Sequence, residues 1–477
     1  MTTRFQRIGL ILGPALAVLI TWVGPPPDFT VQAWNAVAVT ALMAVWWCTE
    51  AVPLAITSLI PLAIFPLIGI APIGEVAPSY VSPSFFLLFA GMLLALGMER
   101  WNLHYRLALS ILSRAGQRPA GIIGGFMVAS FLLSMWISNT AITLMMLPSA
   151  MSVAAVVAPD RTDPDQRRFS VALVLGVAYA TTIGGVATLV GTPPNLLLAG
   201  YLEQTQGVQL TFAGWLKFGM PLSLFMLPLA WWFLVKVALP FKLDSPPEAM
   251  EHIRDELAKL GQFTVPEKRT MAVLAAVACT WMFRPLVNRL PGLDALSDTG
   301  VAVIGAIVLF SIPSGDGSRL LNAKWAKRAP WDVMIMYGGA LALAAAVARV
   351  GLAEPLGARL SFAAGWPLFA LIVLVVGLVL AMTELVQNSA AVAISLPIIA
   401  ALAVQTGVEP QLLAIPATIA ASYAFMLPVG TPPNTIVYGT GMVTTAEMSR
   451  AGLLLNLAGL VAIPVVSWVA LVALATS

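Results

Sequence analysis

The 477-residue chain is 59% hydrophobic and only 10% charged, with a mean hydropathy of +0.90. A water-soluble protein keeps about a quarter of its residues charged, so a water-facing surface is excluded and most of the chain must be dissolved in lipid. The net charge of +3 is too small to mark a nucleic-acid partner.

Apolar stretches near the roughly 20 residues of a spanning helix recur from end to end. Ile8 to Val23, Thr270 to Phe283 with its flanks, and Gly452 to Ala475 are examples. Arg4 and Arg7 precede the first stretch, as in a secretory signal. However, Gly24-Pro25-Pro26-Pro27-Asp28 is not a small-x-small cleavage site, so residues 1–30 read as a retained first transmembrane helix. Residues 31–241 then form one membrane unit, 242–269 a linker, and 270–477 a second unit. The expected fold is an all-α polytopic membrane protein with about eleven transmembrane helices plus two re-entrant helical hairpins.

Eleven of the 47 charged residues fall between Lys242 and Arg269. Within this stretch Pro246 to Gly261 predicts a short amphipathic helix at the membrane surface. Ser245 could cap it, Met250, Ile253, Leu257 and Leu260 share one face, and Gly261 ends it. Cys48 and Cys279 lie in or beside apolar segments and read as packing residues. With only His104 and His252 available, a histidine metal site or catalytic triad is nearly excluded.

Basic residues give the orientation. With the N-terminus inside and two later segments treated as hairpins, 19 of the 25 basic residues fall in cytoplasmic loops. Arg100, Arg106, Arg114 and Arg118 form one such group, and Arg319, Lys324, Lys327 and Arg328 another. The opposite loops hold Arg284, Arg289, Arg349 and Arg359. This predicts a multi-pass protein of a bacterial-type inner membrane, with its N-terminus cytoplasmic and its C-terminus outside. Forcing either hairpin to be a full span would scramble the bias.

A duplication carries the most information. Gly191-Thr192-Pro193-Pro194-Asn195 recurs as Gly430-Thr431-Pro432-Pro433-Asn434. Each copy follows an apolar segment with a polar interruption: Ser138-Asn139-Thr140 ahead of Pro148, and Gln387-Asn388-Ser389 ahead of Pro397. Phe89-Ala90-Gly91 parallels Tyr337-Gly338-Gly339 upstream. The pattern predicts two inverted repeats, with hairpins at 121–157 and 368–402 entering from opposite sides and broken helices at 170–200 and 412–440.

Non-helical backbone at membrane depth has to face protein or a water-filled cavity. Gly-Thr-Pro-Pro-Asn cannot continue a helix, because proline removes a donor and displaces the residue before it from helical geometry. Each copy should unwind near mid-membrane and free carbonyls for Na⁺. The polar tips offer hydroxyls, an amide and the exposed N–H groups of the following half-helix, an anion site without a fixed cation. Ser and Asn also serve as helix caps and interhelical links, but two tips paired with two duplicated helix breakers favour a binding site. Glu384, an intramembrane acid just before the second tip, is a functional candidate by default, and the preferred role for it is to anchor the hairpin.

On Ser138-Asn139-Thr140, both Gly-Thr-Pro-Pro-Asn copies and the order of hairpin, broken helix and linker, the chain resembles the divalent anion–sodium symporter family of di- and tricarboxylate transporters. The resemblance covers essentially the whole chain. It implies sodium-coupled symport of succinate-, malate-, fumarate- or citrate-class anions by an elevator mechanism, in a homodimer. A first sodium site would use Ser134, Ser138, Asn139 and Gly191. A second would use Thr383, the Val386 carbonyl, Asn388 and Gly430. Substrate carboxylates would meet Ser138, Asn139, Thr140, Asn388, Ser389 and Pro432. The second tip departs from the family's Ser-Asn-Thr, and Gln387 brings a longer amide into the substrate site.

Three rival activities remain. A sodium-independent exchanger would be expected to carry a fixed cation where sodium sits, and neither tip nor either Gly-Thr-Pro-Pro-Asn motif holds Lys, Arg or His. A sulfate-type carrier stays open because Gln387 adds a donor. An intramembrane enzyme lacks an activated nucleophile or metal-like spacing.

Overall fold

A computed structural model describes residues 4–160, 162–244 and 248–475. The described residues are helical apart from turns, loops and one isolated bridge between Pro313 and Arg319. Nine helices among them are long and apolar enough to cross a membrane. The expected spans do not map onto these one for one. Val265–Met282 carries Glu267, Lys268 and Arg269 in its first turns, and Asp298–Ser311 has only 14 residues.

The same succession of elements occurs twice. In the first half Pro119–Ser134 and Asn139–Val157 form a helical hairpin, followed by Pro164–Ala187, a break, and Pro193–Gln206. In the second half the hairpin is Leu368–Thr383 with Asn388–Thr406, followed by Pro410–Ala421, a longer break, and Pro432–Gly439. The leading arm of each hairpin has 16 residues. At 1.5 Å per residue that is about 24 Å, short of a bilayer's ~30 Å core. Each Pro-Pro pair opens its helix at the first turn, where the missing N–H groups have no intrahelical partner to lose.

Helix Pro164–Ala187 is enclosed by protein along its whole spanning length. It packs most extensively on the leading arm of the first hairpin. Gly184 permits the approach: a β-carbon there would lie 2.3 Å from Phe131 O. Tyr179, fully buried on the same helix, donates to Phe425 O at 2.9 Å in the break of the second half. Gly452, on the long C-terminal helix, backs onto the same stretch, with its β-carbon position 2.1 Å from Phe425 O. The second half repeats the arrangement, with Pro410–Ala421 packed on both arms of its own hairpin.

The amphipathic linker helix spans Glu248–Lys259. The proposed cap Ser245 lies outside the described residues. Met250 and Ile253 are buried, Leu257 and Leu260 half-buried, and Gly261 takes a positive φ of 63° just past the helix end. Arg106, itself 4% exposed, reaches this end. It donates to Leu260 O at 2.9 Å and Gly261 O at 2.7 Å and pairs with Glu267 at 2.7 Å. One buried guanidinium thus satisfies the orphan carbonyls of the linker and ties it to the start of the second half. The two cysteines are unpaired, and Cys279 is exposed on its helix face, so the expectation of packing roles fails for it.

Candidate functional site

Both tips and both helix breaks border one cavity of about 610 Å³. Ser138, Asn139, Thr140, Gln387, Asn388, Ser389 and Pro432 all line it, as does Gly191. Ser134, Thr383, Val386 and Gly430 are buried behind that wall. The residues expected to meet substrate therefore form the surface, while those expected to meet sodium divide evenly: Ser138, Asn139, Gly191 and Asn388 at the surface, and Ser134, Thr383, Val386 and Gly430 in a second layer beneath it.

Four helices begin at the cavity, at Asn139, Asn388, Pro193 and Pro432. Their dipoles favour negative charge there. The proline pairs remove donors from two of the four starts, so the N–H groups available to an anion are mainly those of the tips. At the first tip the Ser138 hydroxyl is engaged, accepting from Ala141 N at 3.3 Å. At the second tip Gln387 makes no side-chain cap and borders the cavity.

The second layer has the same chemistry in both halves. Ser134 Oγ lies 2.6 Å from Asn139 Oδ1 and 2.7 Å from Thr181 O. Thr383 Oγ1 contacts Ala421 O and lies 3.2 Å from Asn388 Oδ1. A hydroxyl has one proton, so each faces two acceptors with a single donor. The Asn388 amide sharpens the point. One of its two terminal atoms lies 2.9 Å from Gly430 O, 3.1 Å from Ala421 O and 3.2 Å from Thr383 Oγ1. With nitrogen there, its two protons and the Thr383 hydroxyl proton serve these acceptors and the cluster closes on itself. With oxygen there, four oxygens converge, an arrangement that a hard cation satisfies. Close backbone approach supports the first cluster as well, since a β-carbon on Gly191 would lie 2.5 Å from Gly185 O.

Sequence reasoning misses the last residue of each duplicated motif. Asn195 Nδ2 donates to Thr188 O at 2.8 Å and Gly185 O at 3.3 Å. Asn434 Nδ2 donates to Ala424 O and Leu427 O, both at 3.1 Å. Each amide spans its helix break and fixes the freed carbonyls. The repetition of Asn at the fifth position is the signal that could have found them. Glu384 anchors the second break with a carboxylate, which no acid among the described residues does for the first. It accepts from Phe425 N at 2.9 Å, Met426 N at 3.1 Å and Leu427 N at 2.9 Å, and from Asn456 Nδ2 at 2.6 Å. The acid anchors the unwound chain.

A cavity walled by two polar tips at the junction of two hairpins and two broken helices, in an all-helical membrane protein, defines a membrane transporter. Matches to known proteins agree. Residues 6–474 match the family model described as the sodium:sulfate symporter transmembrane region, and the chain belongs to that family. It is 37% identical over 469 residues to the sodium-dependent dicarboxylate transporter SdcS of Staphylococcus saprophyticus, covering 97% of this chain and 90% of the relative. With SdcS of Staphylococcus aureus it shares 36% over 460 residues, 95% of this chain and 88% of the relative. Among solved structures it resembles the Alcanivorax borkumensis YdaH transporter, with a TM-score of 0.61, 16% identity, and coverage of 90% and 98%. It also resembles Neisseria gonorrhoeae MtrF, with a TM-score of 0.56, 14% identity, and coverage of 97% and 93%. These two likenesses establish the fold alone.

Proposed function

We propose that this protein is a sodium-coupled symporter of small dicarboxylates of the succinate class. The observation that carries the proposal is the duplicated cluster behind the tips, in which one hydroxyl and one amide meet backbone carbonyls: Ser134 with Asn139 and Thr181 O, and Thr383 with Asn388, Ala421 O and Gly430 O, a set that turns into an oxygen shell when the Asn388 amide presents its oxygen to a cation. Sodium enters each cluster and completes its oxygen shell. The cations add positive charge directly behind the tips, where the substrate carboxylates accept N–H and hydroxyl donors. Cation and anion binding are therefore coupled by shared residues, Asn139 and Asn388. The identity of 36–37% with proteins named as sodium-dependent dicarboxylate transporters supports the same reading.

The two halves act as inverted repeats, and the block of hairpins and broken helices moves as one elevator unit within a homodimer. Contacts at one end of the molecule support the cytoplasmic assignment of the basic loops. Arg100 donates to Ser318 Oγ at 2.9 Å, Arg106 to the linker carbonyls, and Arg168 to Pro240 O at 3.3 Å. The cavity opens toward that end, since Glu99 and Arg328 line it.

An inorganic oxyanion such as sulfate is the second reading, favoured by the uncapped Gln387 amide at the cavity wall. Uptake of succinate, citrate and sulfate into proteoliposomes, each with and without a sodium gradient, tests both. Succinate uptake that requires Na⁺ is expected. Equal succinate uptake in sodium and choline media, with strong stimulation by substrate loaded inside, would identify an exchanger.

A further inference from the structure

The cavity wall changes character along its length. Around the tips it carries no formal charge. At its other end, Glu99 comes from the last turn of helix Pro83–Arg100, Asp332 from the first turn of helix Trp331–Arg349, and Arg328 from just before it. Arg328 is the single cation among the lining residues. Among the described residues its side chain enters no salt bridge. Its guanidinium instead lies over the Trp325 ring, 4.2 Å from the centroid, in an exposed position. Stacking on an aromatic face fixes the plane of a guanidinium and leaves its N–H fork free, a geometry suited to a carboxylate.

The surrounding charges give this position a task. A dianion travelling through the mouth meets two carboxylates, Glu99 and Asp332, that repel it. Arg328 borders the same cavity as both acids. We propose that Arg328, held on Trp325, captures one carboxylate of the substrate at the cytoplasmic mouth and offsets Glu99 and Asp332 along the route between tips and cytoplasm. It binds the substrate in passage and takes no part in the sodium clusters. The inference rests on the proposed dicarboxylate symport and on the cytoplasmic assignment of the mouth.

The experiment compares wild type with Arg328→Gln, Arg328→Lys and the double variant Glu99→Gln/Arg328→Gln. Succinate transport is measured in right-side-out and in everted membrane vesicles. Arg328→Gln should raise the succinate KM about tenfold at the cytoplasmic face and flatten its dependence on ionic strength, as expected when electrostatic steering is removed. The outward-face KM and the sodium half-saturation should not move. Arg328→Lys should recover most of the loss, and removing Glu99 in the double variant should recover part of it. Thermal unfolding in detergent identifies any variant whose fold is damaged, and the double variant then carries the charge test. An unchanged cytoplasmic KM in Arg328→Gln overturns the inference, and so do equal shifts at both faces. If wild type itself shows no sodium-driven succinate transport, the parent reading fails first and takes this one with it.

Discussion

Gly185 lies directly beneath the Asn139 amide: a β-carbon at position 185 would come within 2.5 Å of Asn139 Oδ1 and 2.9 Å of Nδ2. The atoms it would strike are the far end of a side chain, which can swing away at small cost to stability. Gly185→Ala should therefore fold with a melting temperature within a few degrees of wild type and yet lose sodium-driven uptake at least tenfold, because Asn139 is pushed out of its cluster. The neighbouring Gly184→Ala is the contrast. Its β-carbon would meet backbone, Phe131 O at 2.3 Å, so the hairpin has to separate from the buried helix and stability should fall. Uptake assays paired with thermal unfolding check both. Normal uptake by Gly185→Ala would remove Asn139 from the cation layer.

The two helix breaks differ in length for a reason visible in one pair of aligned residues. Glu384 follows Thr383 as Met135 follows Ser134. Helix Pro164–Ala187 runs to within four residues of Gly191, whereas Pro410–Ala421 stops nine residues before Gly430. The longer break exposes N–H groups that the Glu384 carboxylate accepts. Glu384→Gln offers one acceptor oxygen and turns an NH₂ toward backbone donors. Leaving buried donors unpaired costs about 1–3 kcal/mol each, so the variant should unfold at clearly lower temperature. Glu384→Asp, which keeps the carboxylate but shortens its reach, should lose less. Equal melting temperatures for Glu384→Gln and wild type would show that the segment does not depend on this anchor.

Much of this was legible because lipid restricts what a sequence can mean. Pro-Pro at membrane depth has to break a helix, and its repetition at Pro193 and Pro432 marks both breaks without any coordinates. The polar tips were legible for the same reason, since Ser138-Asn139-Thr140 has no cause to interrupt an apolar run unless it faces something polar. Backbone partners were not legible. Nothing in the residue types names the Thr181 and Ala421 carbonyls, which become oxygen donors only through the helix register that sets them against Ser134 and Thr383. Asn195 and Asn434 were in view within the motif, but their bridging of each break depends on the local path of the unwound backbone, which sequence spacing does not fix. Arg328 speaks in the sequence for orientation only, because its position on the cavity wall arises from packing between distant segments.

Asn139 and Asn388 are each proposed to serve cation and substrate at once, lining the cavity with one part of the residue and meeting the hydroxyl beneath with the amide. Asn139→Ala and Asn388→Ala should each abolish transport in reconstituted vesicles while the purified protein keeps its elution volume and melting behaviour. Sodium should also stop stabilising each variant against heat, since ligand binding to the native state is what raises stability. A variant that transports normally would reduce its tip to a helix cap and end the two-site description.

Gln387 differs from Ser138 in what its side chain does. Both residues precede the trailing arm of a hairpin, with similar backbone angles of φ −56°, ψ 139° for Ser138 and φ −53°, ψ 140° for Gln387. Ser138 commits its oxygen to the Ala141 N–H, while Gln387 makes no equivalent cap and borders the cavity. A capping serine at 387 would add a local hydrogen bond, shorten the wall and withdraw a donor from the substrate. Gln387→Ser should therefore leave stability the same or slightly raised and change the preference among succinate, citrate and sulfate. A single interaction between pocket and substrate is worth about 1–3 kcal/mol, roughly 5- to 150-fold in selectivity. The bulkier citrate should bind better against the widened wall, and the compact sulfate should bind worse without the amide donor. Competition uptake of the three anions by wild type and Gln387→Ser measures this directly. Unchanged ratios, with only a small shift in melting temperature, would mean that Gln387 supports the half-helix and takes no part in choosing the anion.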